Sequence, residues 1–267
     1  MKGWLLYDRA GMERNRAFIQ FWFKAAQSKG VELELHITDN PLPVSNPDFS
    51  VVRVMDPFVN SSLEARGISV YNSALVSTIC NDKWKTYCHA KTLGIPFPAT
   101  EYYIDPHKIN NRPYPFIIKA CNGHGGTQVY MVSNDEEFHT ALASLNGTPS
   151  VVQEVVSDLG KDLRIYVLGN KVIAAMLRSS NEDFRSNFCL GGNAQPYLLG
   201  KDELEIVDTF CNSLPFGLVG IDLMFHNGKP VFNEIEDVVG CRMLYSQTNL
   251  NPVEMYLDFI MQNLSKT

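Results

Sequence analysis

The sequence predicts an α/β unit joined to an α+β one: a small open, mostly parallel sheet first, antiparallel sheet after it. Over roughly the first seventy-five residues, strand-like apolar runs alternate with helical periods, the order that builds parallel sheet. From Phe97 onward the strand-like runs come in adjacent pairs joined by tight turns, which is how antiparallel strands connect. A chain of 267 residues, 45% hydrophobic and 19% charged, can also bury a sizeable core, in two compact units better than in one.

In order, residues 4–7 read as a short buried strand ending at Asp8. Residues 13–28 set Phe18, Phe21, Trp22 and Ala25 at helical spacing ahead of Gly30 and predict one helix. Residues 33–37, 49–55 and 68–71 are strand-like, separated by a Pro-rich loop at 41–47 and a short helix at 63–66 that closes before Gly67. No GxGxxG follows the first strand, so no dinucleotide site is expected there. A helix opens at Asn81 and runs to Leu93-Gly94, where Pro96 and Pro98 stop it. The pairs follow: 114–120 with 127–132, and 165–167 with 172–177 across Gly169-Asn170. A helix at 135–145 and a strand at 150–156 lie between them, and residues 253–264 form a closing helix. The boundary falls near Ala99, giving units 1–98 and 99–267, the second in lobes of about 99–156 and 157–267.

Composition excludes several classes. A net charge of -6 argues against a nucleic-acid binder, whose affinity needs clustered Lys and Arg. No apolar run reaches transmembrane length and no secretory leader is present, so the expected setting is cytoplasmic, with no membrane partner. The six cysteines (80, 88, 121, 189, 211 and 241) contain no CxxC pair and read as buried free thiols, and no histidine pair has metal-ligand spacing on a helix. Homo-oligomerisation is left open.

The chain's chemistry is organised around residues 220–240, GIDLMFHNGKPVFNEIEDVVG. Asn227-Gly228 between apolar runs is a hairpin signal that sets Asp222 roughly opposite residues 232–234. Strand alternation points Glu234 and Glu236 the same way and splits Ile235 and Phe232 between the two faces. Three carboxylates on one patch repel by up to ~4 kcal/mol per close pair at an effective dielectric near 20, so a cation is expected among them. Hard oxygen ligands favour magnesium or manganese over zinc. The bland alternative is a solvated acidic hairpin edge.

Upstream, a strand ends in Lys119 and runs into Cys121-Asn122-Gly123-His124-Gly125-Gly126-Thr127, where glycines let backbone amides approach an anion beside a lysine charge. The Gln153-Glu154-Val155 strand end can offer backbone groups to a purine edge, and Asp162 of Gly160-Lys161-Asp162-Leu163-Arg164 can take ribose hydroxyls. Arg178 and the loop Asp183-Phe184-Arg185-Ser186-Asn187 suit an anionic substrate. Taken singly, each is also an ordinary turn or surface loop.

The order of these pieces, with Asn81-Asp82-Lys83-Trp84-Lys85-Thr86 and Gly94-Ile95-Pro96 before them, resembles the RimK-like branch of the ATP-grasp ligases over nearly the whole chain. The resemblance implies an ATP-grasp fold whose two antiparallel lobes clasp ATP. It also implies ligation of a carboxylate substrate to an amine acceptor through an acylphosphate, with ATP and Mg2+ (or Mn2+) as cofactors. By position it implies ATP-phosphate contacts for Lys83 and Lys119, closure of the Gly123, Gly125 and Gly126 loop over them, adenine contacts for Glu154 and Val155, and a ribose contact for Asp162. Arg185, Ser186 and Asn187 are implied near the phosphates and substrate carboxylate, Arg178 as stabilising developing negative charge, and Asp222, Glu234 and Glu236 as metal ligands. The chain departs from the branch's Glu-x-Asn-x-x-Pro-Gly: Glu236 stands in place of asparagine, followed by Asp237-Val238-Val239-Gly240. The extra charge is expected to be offset by Arg242 or Arg185. The departure leaves open an alternative, an ATP-binding regulatory or scaffold protein without ligase turnover.

Overall fold

Residues 1–110, 112–180, 184 and 193–266 are described by the computed structural model. β1 (Lys2–Tyr7), almost wholly apolar, lies inside a parallel sheet ordered β2-β1-β3-β4, with β2 at Glu32–Ile37, β3 at Phe49–Val52 and β4 at Ser69–Tyr71. The single helix expected over 13–28 is two, α1 (Arg9–Arg14) and α2 (Arg16–Ser28). Asp8 starts α1 by accepting from the Gly11 amide, and the chain breaks at Asn15, whose N–H returns to the Gly11 and Met12 carbonyls. On α2, Trp22 and Ala25 face the core while Phe21 remains 42% exposed.

β3 stops at Val52, short of the expected residue 55, and α3 (Pro57–Glu64) begins earlier than expected, because Asp56 caps it and Pro57 suits its first turn. α4 (Ala74–Cys80) was not expected: a short ALVSTIC run rich in β-branched and small residues shows no helical period. α5 (Lys83–Thr92) follows, capped by Asp82 and not by Asn81.

The middle sheet is ordered β5-β8-β6-β7: β5 at Thr100–Tyr103, β6 at Phe116–Ala120, β7 at Val129–Val132, β8 at Ser150–Glu154. With α6 (Asp135–Leu145) it encloses its own core of Phe116, Ile118, Val132, Leu142 and Val152. The last sheet runs β11-β10-β9-β12-β13, with β9 at Lys161–Leu168, β10 at Lys171–Ser179, β11 at Asn193–Pro196, β12 at Leu218–His226 and β13 at Lys229–Glu236. α7 (Lys201–Ser213), α8 (Arg242–Gln247) and α9 (Pro252–Leu264) complete it. β5, β11, α7 and α8 are additional to the expected elements.

The first sheet does not bury its own core alone. Leu5, Tyr7 and Trp22 share a cluster with Tyr166, Met176 and Leu257, and the Trp22 ring meets Tyr256 of α9 edge-on at 5.9 Å. Among the described residues no helix is long and apolar enough to cross a membrane.

Candidate active site

Strand register assembles the site. Asn227 and Gly228, at φ 53° and 72°, close a two-residue turn that pairs His226 with Lys229. Counting back, Asp222 stands opposite Glu234. Leu223 then pairs with Phe232, so Asn233 is an extra, bulged residue. Alternation alone would leave Phe232 on the face of Glu234 and Glu236; the bulge sends it into the core beside Ile235. It also turns the Asn233 amide to Lys119, whose ammonium donates to Oδ1 at 2.9 Å.

The neighbouring strands supply the countercharge. Arg164 on β9 lies opposite Asp222, and Asp162, two residues before it on the same face, lies opposite Arg178 on β10. The Arg164 guanidinium donates to both Asp222 oxygens and, at 2.7 Å each, to both Glu236 oxygens. Arg178 donates to both Asp162 oxygens at 2.6 Å and to Asp222 at 2.7 Å. Gly220 makes room: a Cβ there would lie 2.9 Å from Arg164 Cδ and 2.7 Å from Val239. Lys83 sits 3.3 Å from Glu234 and donates to the Gly123 carbonyl.

The extra charge of Glu236 is met by Arg164; Arg242 is exposed without an ion pair among the described residues, and Arg185 lies outside them. Asp162, expected on the ribose side, has its carboxylate clamped by Arg178, and Arg178 is thereby already committed to two acids. Ser186 and Asn187 also lie outside the described residues.

Burial pushes Asp222 up, but Arg164 and Arg178 overcome it and hold the carboxyl below its ordinary value. Glu234 is likewise held down against burial, chiefly by Lys83. Glu236 ends raised, because burial and the charges of Asp222 and Glu234 outweigh its single guanidinium partner. Burial lowers Lys119 to about 8, with Glu234 pulling back and Lys83 adding to the drop. His124 is lowered to about 4 by burial and Lys83.

Two cavities meet here. The larger, ≈ 230 Å³, lies between Met55 and Asn81 on one side and the glycine-rich turn with His124 and Gly125 on another, with Arg164, Arg178 and Glu236 along its wall. The smaller, ≈ 90 Å³, is flanked by Ile117, Val129, Val156 and Met224, with Lys119, Gly126, Glu154 and Asp162 at its edges. Lys83 and Glu234 line both. Val156, and not Val155, lines the smaller cavity beside Glu154, because β8 ends at Glu154 and the chain turns there.

The carboxylates fit a hard divalent cation. Asp222, Glu234 and Glu236 each bring an oxygen within 4.8 Å of the others. A carboxylate has about four lone-pair positions, so the guanidinium bonds leave acceptor capacity on each. Sequence reasoning assigned no role to Arg164 or Asn233. The Asp-Leu-Arg alternation signalled that Asp162 and Arg164 share a face; nothing local announced the bulge.

Apolar slot, lysine pair and carboxylate cluster between two antiparallel sheets define an ATP-grasp site. The chain belongs to the RimK-like ATP-grasp family: that family's domain model matches residues 80–260, more than half of it. A probable alpha-L-glutamate ligase of Vibrio vulnificus is 29% identical over 209 residues, covering 75% of this chain and 69% of that one. The glutamate–LysW ligase ArgX of Sulfurisphaera tokodaii is 25% identical over 264 residues, covering 91% and 94%. In fold, the chain is similar to D-alanine–D-alanine ligase from Bacillus anthracis complexed with ATP, at a TM-score of 0.77 and 16% identity over 100% of this chain and 98% of the other. It is therefore an ATP-dependent carboxylate–amine ligase, an enzyme that forms carbon–nitrogen bonds.

Proposed function

We propose that ATP occupies the smaller cavity with its γ-phosphate at the junction, and that the acid and amine meet in the larger one. The observation that carries this reading is the shared wall: Lys83 and Glu234 belong to both cavities, so a phosphoryl group can pass between them without crossing open solvent. The adenine ring lies against Ile117, Val129, Val156 and Met224, with Glu154 at its polar edge. Lys83 and Lys119 hold the phosphates under the glycine-rich turn.

A magnesium ion held by Asp222, Glu234 and Glu236 would supply charge neutralisation at the β- and γ-phosphate oxygens. The protein's own part is positioning. A substrate carboxylate oxygen attacks the γ-phosphorus as the bond to the β-phosphate oxygen breaks, giving an acylphosphate and ADP. The amine nitrogen then attacks the acyl carbon, phosphate leaves, and the nitrogen gives up its proton. Arg164 and Arg178 stand at the cavity wall where the oxyanion of that second step develops, and are held rigid by their carboxylates.

The names of the relatives support glutamate as one of the two substrates, and we take it as the amine donor. Units 1–98 and 99–267 then serve as the substrate-side wall and the nucleotide clasp. Lys119→Ala and Glu234→Gln should each abolish acid- and amine-dependent phosphate release while circular dichroism shows an intact fold. Turnover surviving both changes would remove the mechanism.

A further inference from the structure

Among the described residues that line the larger cavity, its internal ion pairs leave over one carboxylate and one guanidinium, with the His124 imidazole held neutral by burial and Lys83. Lys83 is engaged by Glu234, Arg164 by Asp222 and Glu236, and Arg178 by Asp162 and Asp222. Asp237 and Arg242 line the same cavity, and neither forms an ion pair among the described residues, with the other or with any further group.

Asp237 is only 2% exposed, and its carboxylate is held by neutral donors: Asn72 Nδ2 at 2.6 Å on one oxygen, Asn81 Nδ2 at 3.1 Å on the other, and the Ser77 hydroxyl beside them. Arg53, half-buried behind the same turn, donates to the Val239 carbonyl at 2.9 Å and acts on Asp237 only from a distance. A buried carboxylate fixed by neutral donors and lacking a contacting cation gains from an incoming ammonium, which offsets the cost of burying its charge. Arg242, five residues on, presents an unengaged planar fork that matches a carboxylate. Asp237 opens the stretch where this chain departs from the family pattern, Asp237-Val238-Val239-Gly240 in place of the Pro-Gly turn, and Arg242 begins α8 just after it.

We infer that Asp237 and Arg242 are the recognition pair for the amine-donating substrate, Asp237 taking its α-ammonium and Arg242 its α-carboxylate. Asp237 lines the same cavity as Glu234 and Glu236, so the nitrogen is delivered beside the carboxylate cluster, where the acyl carbon must form. Loss of one proton from the bound ammonium to solvent makes it the nucleophile. The pair selects a free α-amino acid over a simple amine or an N-blocked acid. The inference rests on the larger cavity being the substrate side of the ligase.

The test is calorimetric titration of wild-type protein, holding a non-hydrolysable ATP analogue and Mg2+, with L-glutamate first and then the other proteinogenic amino acids. The expected result is binding that weakens at least about tenfold on N-acetylation and again on decarboxylation of the same ligand. Arg242→Gln should weaken the intact amino acid to a similar degree while leaving affinity for the ATP analogue unchanged and no longer distinguishing the decarboxylated amine. Asp237→Asn should cease to distinguish the N-acetyl form; if it melts below wild type, the analogue series on the wild type and Arg242→Gln still decide. The inference is overturned if protein that binds the ATP analogue binds no free amino acid, or if blocking either end or changing Arg242 leaves affinity unaltered. Absence of binding by the ATP analogue itself would instead overturn the ligase reading.

Discussion

Lys119 carries the sharpest consequence at the scale of single residues. Its side chain is buried against Asn233, and that burial brings the ammonium down to about 8, within reach of ordinary assay conditions. Below that value the lysine is protonated and attracts phosphate; above it the neutral amine does not. In the free enzyme, kcat/KM for ATP should therefore fall as pH rises through about 8, approaching a tenfold loss per unit. Lys119→Arg, whose guanidinium stays charged across this range, should flatten that alkaline limb even where it lowers the rate. A pH profile in which both proteins lose activity together would assign the limb to another group. Arg164 shows the opposite behaviour: Asp222 and Glu236 outweigh its burial and raise its pKa well above the ordinary arginine value, so it remains charged and acts as a fixed part of the site.

The β12–β13 hairpin dominates at the scale of elements. Its turn and the clustering of its carboxylates were legible because Asn-Gly is a local signal and strand alternation is a period-two rule. The bulge at Asn233 was not, because register beyond the turn depends on which face the core accepts. Gly220 belongs to the same hairpin, and it lets the Arg164 side chain pass over β12 to reach Glu236. Gly220→Ala should cost about 1–3 kcal/mol by overpacking against Arg164 and Val239. Urea denaturation monitored by tryptophan fluorescence would measure it, and an unchanged midpoint would mean that Arg164 has room to step aside.

At the scale of the whole molecule, one buried side chain adds a polar tie to the core that the first and last sheets share. Asn72 accepts from the Gly217 amide at 2.6 Å and donates to the Leu218 carbonyl at 3.0 Å and to Asp237 at 2.6 Å. Through it the first sheet is fastened to the strand that carries Asp222. Asn72→Ala leaves a buried N–H and a buried C=O unsatisfied, at about 1–3 kcal/mol each. The expected outcome is a melting temperature lower by several degrees and faster proteolysis of the segment around α4, with the middle lobe, which has its own core, the last part cut. Uniform cleavage across the chain would contradict this division of stability.

What is local and ordered could be read along the chain: alternating then paired strands, the lysine before a glycine-rich turn, and carboxylates spaced along a hairpin. This holds because propensity, turn chemistry and strand period act over a few residues, and the order of motifs survives without coordinates. Which charges meet was set by the folded arrangement of the strands. Arg164 neutralises Glu236 and Arg178 takes Asp162, since strands distant in the chain become neighbours through the β10-β9-β12-β13 order, while Asp237 and Arg242 form no ion pair among the described residues. Ion pairing in a buried site depends on contacts of a few ångströms between such strands, and no spacing along the chain encodes those distances.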